Sequence, residues 1–101
     1  MDIIKVKAVS RTAGVAGAIA GVIREKQYAE VQAIGAGAVN QAVKSLVLAR
    51  NFLVQDRIDI VFIPEFANVE IEGKIRTAIK FVVEPRPWQE KEKEKEQPAE
   101  S

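Results

Sequence analysis

Apolar and polar positions alternate, then shift to helical spacing, twice in the first half of the chain. From Ile3 to Val9, Ile4, Val6 and Ala8 fall on one side and Lys5 and Lys7 on the other, the period of a strand whose basic pair faces water. Ser10-Arg11-Thr12 breaks this alternation, and either hydroxyl is placed to cap a following helix. From Ala13 to Lys26, Val15, Ile19, Val22 and Ile23 share one helical face. Tyr28 to Ile34 then predicts a second strand. Gly35 and Gly37 suit a tight exit from it, and from Ala38 onward Val39, Val43, Leu46 and Val47 recur at helical spacing. This second helix is expected to run to about Asp56, with Arg50 against the negative end of its dipole.

The second half reads as strands. Ile58 to Ile63 is apolar except for Asp59, as in an interior strand, and Pro64 is expected to end its ladder. Glu65 to Gly73 reads as a connection with turn signals at Asn68 and Gly73, able to include part of a hairpin arm. In the last strand Ile75, Thr77, Ile79, Phe81 and Val83 alternate with Arg76, Ala78, Lys80, Val82 and Glu84, until Pro85 and Pro87 stop it. Two right-handed crossovers over this order put both helices on one face of a four-stranded mixed sheet, with the final strand antiparallel. The expectation is a two-layer α/β sandwich in one domain, residues 1–86. Residues 87–101 carry alternating Glu and Lys with no apolar period, and are expected to be a disordered tail. Trp88, ahead of the tail, suits a lid on the domain edge or an exposed anchor.

Composition narrows the chemistry. With no Cys and no His the chain has no thiol nucleophile, disulfide, imidazole base or zinc site of the usual kind. The carboxylates Glu25, Glu30, Asp56 and Asp59 fall at helix ends or strand edges, with no spacing that joins two in a pocket. No enzymatic activity, metal or cofactor is expected. The first residues, MDIIKVKAV, do not resemble a signal peptide, and the uncharged run from Thr12 to Ile23 is far short of the roughly 20 residues of a membrane span. A cytoplasmic protein without membrane contact is the expectation. Net charge is +1, divided as +3 over residues 1–86 (12 Lys/Arg, 9 Asp/Glu) and −2 over residues 87–101 (3 against 5). That bias is mild for a nucleic-acid binder.

Two groups of residues carry candidate roles. Gly14, Gly17 and Gly21 lie within the first helix, where each interior glycine costs about 1 kcal/mol relative to alanine. Close approach of a sheet, a second helix or a partner subunit is the reading that fits them best. The turn Gly35-Ala36-Gly37 leads into a helix N-terminus, whose N–H groups and dipole suit an anion, or else simply a close helix–sheet approach. Neither a phosphate-loop motif nor a dinucleotide fingerprint is formed there. Asn40, Gln41 and Lys44 occupy the first two turns of this helix, placed to bond phosphates or base edges if they are not merely a solvated face. Arg11 and Lys44, flanking the turn, make the best candidate basic patch. Lys5, Lys7, Arg76 and Lys80 are expected on the sheet face away from the helices, mixed with Glu30, Gln32 and Glu84.

VAGAIAGVIRE at 15–25, AEVQAIGAGAVNQAVKSLVLAR at 29–50, IPEF at 63–66 and RTAIKFVVEPR at 76–86 closely resemble the stage V sporulation protein S family of bacteria. That family is similar in turn to the Alba superfamily of chromatin and RNA-binding proteins. Ala33 to Phe52 looks like the Alba strand-turn-helix element. The resemblance implies the same element order, a homodimer or higher oligomer and, by analogy, binding of DNA or RNA in sporulation control. The pattern also departs from Alba. Where Alba proteins carry a lysine pair after the first strand, Ser10-Arg11-Thr12-Ala13 offers only Arg11. Gly35-Ala36-Gly37-Ala38 stands where they have arginines, and the arm carries Glu65, Glu70 and Glu72 against Lys74 and Arg76. The alternative is a protein-interaction module in sporulation or development control, without direct nucleic-acid binding.

Overall fold

The computed structural model describes residues 3–89, so the expected tail lies outside the described residues apart from its first three. The order is β1 (Ile3–Val6), α1 (Thr12–Lys26), β2 (Ala29–Ala33), α2 (Ala36–Leu53), a 3₁₀ turn (Val54–Asp56), β3 (Ile58–Ile71) and β4 (Lys74–Pro87). The sheet is ordered β1-β2-β4-β3, with β1 and β2 parallel and β4 antiparallel to both of its neighbours. The two helices pack on each other and on the sheet. This is the expected two-layer α/β sandwich, consistent with an Alba-like fold.

The core alternates as strand geometry requires. Ala29, Val31 and Ala33 of β2 and Phe81 and Val83 of β4 are buried, and they face Ile19 and Ile23 of α1 and Leu46 and Leu53 of α2. Small residues fill the rest of the helical layer: Ala16 and Ala20 in α1, and Ala38, Ala42 and Ala49 in α2. In α2 this corrects the sequence pattern. Val43 and Val47 are 39% and 57% exposed, while Ser45 is buried because its hydroxyl donates to the Gln41 carbonyl at 2.7 Å. The small-residue side of the helix faces the core, and the valine ridge faces out.

β1 is shorter than the alternation from Ile3 to Val9 predicts. Ser10 closes a turn on Lys7 from both directions, its N–H donating to the Lys7 carbonyl (2.9 Å) and its Oγ accepting the Lys7 N–H (2.8 Å). The hydroxyl expected to cap α1 is therefore spent on the turn, and α1 begins with Arg11 at its N-cap and no side-chain cap.

The hairpin is longer than predicted. β3 continues through Pro64, which pairs with Phe81, and β4 continues to Pro87, which pairs with Ile58. Pro64↔Phe81, Ile60↔Pro85 and Ile58↔Pro87 are in the same phase of the antiparallel ladder, the one whose N–H groups point away from the partner strand. No ladder donor is lost at any of them. Pro64 faces the open edge of the sheet, and Pro85 and Pro87 lie past Val83, the last β4 residue paired with β2. Glu72 and Gly73, with φ of 51° and 79°, form the two-residue turn, as the left-handed geometry of a tight hairpin demands. β4 pairs with β2 only from Ile79 onward, so Lys74–Ala78 and the opposed part of β3 project as an arm. Its apolar residues are open: Phe66 is 80% and Ile75 73% exposed, which corrects the expectation that the Ile75 side of the last strand packs throughout.

Charge fixes the other end of the helical layer. The Asp59 carboxylate is buried, yet it accepts from Arg50 Nε (2.5 Å), Arg86 Nε (2.9 Å) and the Ile60 N–H (3.0 Å). Burial alone would raise its pKa. The hydrogen bonds from Arg50, Arg86 and Ile60 outweigh that and hold it below its ordinary value of 3.8. Arg24 joins the C-terminal ends of the two helices, bonding Asp56 at 2.8 Å and the Phe52 carbonyl at 3.2 Å. A carboxylate depressed on folding contributes stability above its unfolded pKa and loses it as pH falls through the folded value. Asp59→Asn is therefore expected to lower stability at pH 7 by about 2 kcal/mol and to flatten the fall in stability below pH 3.8, as read by urea unfolding across pH.

Candidate nucleic-acid interface

β1 and β2 are parallel, and each leads directly into a helix, so α1 and α2 both begin at the same end of the sheet. Glycine at position 37 eases the approach of α2 to the β1–α1 loop. A Cβ there would lie 3.0 Å from the Ala8 Cβ, a tighter contact than most real ones. Gly35, at the N-cap of α2, has φ 93° and ψ 156°, a conformation open essentially to glycine alone. Gln41 Nε2 then donates to the Ser10 carbonyl at 2.8 Å and ties the β1–α1 loop to the second turn of α2.

The ladder of α1 starts with the Val15 N–H bonded to the Arg11 carbonyl, and that of α2 with the Val39 N–H bonded to the Gly35 carbonyl. The amides of Thr12, Ala13 and Gly14, and those of Ala36, Gly37 and Ala38, precede these bonds. Neither helix has a side-chain cap or an acidic residue in its first turn. Both positive dipole ends are thus uncompensated by protein carboxylates. Arg11 and Lys44 are exposed, and neither is in an ion pair among the described residues.

The sequence-derived candidates separate on this geometry. Arg11, Gly35, Ala36 and Gly37 lie at the paired helix starts, while Asn40 and Lys44 are exposed one turn apart further along α2, Lys44 in its third turn, about 12 Å along the axis from Ala36. Gln41 is instead a brace, its amide committed to Ser10. Gly14, Gly17 and Gly21 do not serve close packing within the chain: all three are exposed, and a Cβ on any of them would meet nothing within 4 Å. Arg50 is committed to Asp59, as its place near the helix end suggests. The apolar arm around Phe66 and Ile75 is the surface that sequence reasoning missed. The signal was Glu72-Gly73 between two apolar runs, a hairpin dipeptide that extends both strands past the sheet.

No helix among the described residues is long and apolar enough to cross a membrane. Among the described residues no group of His, Cys, Asp or Glu could hold a metal ion. The family model of stage V sporulation protein S matches residues 2–86, and the chain belongs to that family. Membership places it among sporulation-related regulatory proteins.

The two kinds of glycine respond oppositely to a methyl group. Gly35→Ala is expected to destabilise by about 1–3 kcal/mol, through backbone strain. Gly17→Ala, in open space on a helix, is expected to stabilise by about 1 kcal/mol. Chemical denaturation of the two variants beside the parent protein measures both.

Proposed function

We propose that this chain is a non-enzymatic, cytoplasmic regulatory protein that binds the phosphate backbone of DNA or RNA as a homodimer or higher homo-oligomer. The reading is carried by one observation: two helix starts with no side-chain cap and no acidic residue in the first turn lie at one end of the sheet, with Arg11 at the N-cap of α1 and Lys44 exposed on α2. Backbone N–H groups at a helix start bind phosphate oxygens without reading sequence, and the flanking cations add charge that salt screens. Asn40 is placed to add a hydrogen bond beside them. Self-association is supported by the outward valine ridge of α2 and the exposed apolar arm, surfaces that a second copy would remove from water.

Fluorescence anisotropy with labelled duplex DNA and RNA tests this reading. Affinity is expected to fall steeply from about 50 mM salt upward, and Lys44→Glu to weaken binding uniformly across sequences and reduce the salt slope by about 1. Absence of binding by the folded protein at about 50 mM salt contradicts it.

The exposed ridge of Gly14, Gly17 and Gly21 favours a second reading, a protein-interaction module whose partner packs on α1. Gly17→Leu leaves the fold intact in that case, since its side chain enters open space, but abolishes the assembly. Sedimentation velocity of Gly17→Leu showing the parent's oligomeric state, with retained partner capture, contradicts this second reading.

A further inference from the structure

On the sheet face away from the helices, a cleft of about 260 Å³ lies between the ends of β1 and β2 and the distal part of β3. By pairing order β3 is at the opposite edge of the sheet from β1. The two meet because the arm, having outrun β2, curves back over its end, bringing Glu70 and Ile71 across from Lys5 and Lys7. Ala8 is common ground: it lines the cleft and also sits against Gly37 at the start of α2.

The lining has two characters. Ile34 and Ile71 supply apolar walls, and apolar surface exceeds polar in the cleft as a whole. The polar groups are the Gln32 amide and three charges, Lys5, Lys7 and Glu70. Lys5 in β1 and Lys7 just beyond it both line the cleft. None of the three charged residues is in an ion pair among the described residues. The lining therefore carries net +1, over walls that favour an apolar body. The volume falls just below the roughly 300–1,000 Å³ typical of pockets for drug-sized ligands, which limits the occupant to one ring or a short chain.

We propose that this cleft binds a small organic anion, an apolar ring or short chain bearing a carboxylate or phosphate, with the anionic group held by Lys5 and Lys7 and the apolar body against Ile34 and Ile71. Gln32 offers one donor and one acceptor for a polar substituent on that body. Its charged groups, Lys5, Lys7 and Glu70, are distinct from the Arg11 and Lys44 proposed to contact phosphate.

The test is a series of ¹H–¹⁵N correlation spectra of the full chain titrated separately with benzoate, phenyl phosphate and benzyl alcohol. Saturable shifts confined to the amides of Lys5–Ala8, Gln32, Ile34 and Val69–Ile71 are expected with the two anions. Benzyl alcohol is expected to bind at least about tenfold more weakly, and Lys7→Glu, on the solvent side of the fold, to weaken the anions about tenfold with spectral dispersion retained. Whichever anion binds more tightly identifies the acidic group. No saturation by either anion up to about 10 mM overturns the proposal. So do equal binding of benzyl alcohol, and shifts that appear instead at Thr12–Gly14 and Ala36–Ala38.

Discussion

The arrangement of this protein depends on how closely the start of α2 approaches the end of β1. Gly37 leaves no more than van der Waals room against Ala8, and Gly35 makes the turn before it in a conformation closed to other residues. A side chain at Gly37 would press on Ala8, and one at Gly35 would strain the backbone of the turn, beside the Gln41 brace that holds the β1–α1 loop. Because β1 and β2 are parallel, the first turns of both helices come to the same end of the sheet, where their unpaired backbone amides add the positive ends of two helix dipoles.

The opposite end of the helical layer is built on the contrary principle. There the helix ends are held by side-chain charge: Arg24 joins α1 to the end of α2, while Arg50 and Arg86 meet on buried Asp59 at the base of the hairpin. These ion pairs leave Arg11 and Lys44 as the exposed cations near the helix starts. The hairpin extends the same economy to its edge. Pro64 has no N–H to offer an intruding strand, and the Ile60 N–H is taken by Asp59, so part of the β3 edge is blunted against pairing although exposed apolar residues run along its length.

Much of this was legible in the residues. Alternation in β2 and β4, the turn at Gly35 and the helical spacing after it set the element order and the sheet, because strand and helix periods differ and every element has a buried side to reveal them. Three features escaped. Proline was read as a terminator, but its effect depends on ladder phase and on whether a neighbouring strand is present, neither of which a linear pattern records. Of the apolar spacing read in α2, Leu46 is in the core and Val39 packs against it, but Val43 and Val47 face out, because much of the buried side is filled by alanines that a hydrophobic pattern underweights. The glycines of α1 look like close-packing residues, yet they face open space in the chain; the cause of their recurrence lies outside it or in no contact at all. At the candidate site the linear pattern offers Gln41 to a ligand, whereas its amide donates to the Ser10 carbonyl, a partner 31 residues away that spacing does not reveal.

The central claim is that the paired helix starts bind phosphate, and mapping the amides that respond to nucleic acid tests it most directly. In ¹H–¹⁵N spectra recorded at low salt with a short duplex, the account predicts that the largest shifts fall on Thr12–Gly14 and Ala36–Ala38, with smaller ones on Asn40 and Lys44, and that added salt reverses them. Shifts concentrated on the Gly14–Gly21 ridge or the hairpin arm, with the two helix starts unmoved, would contradict it.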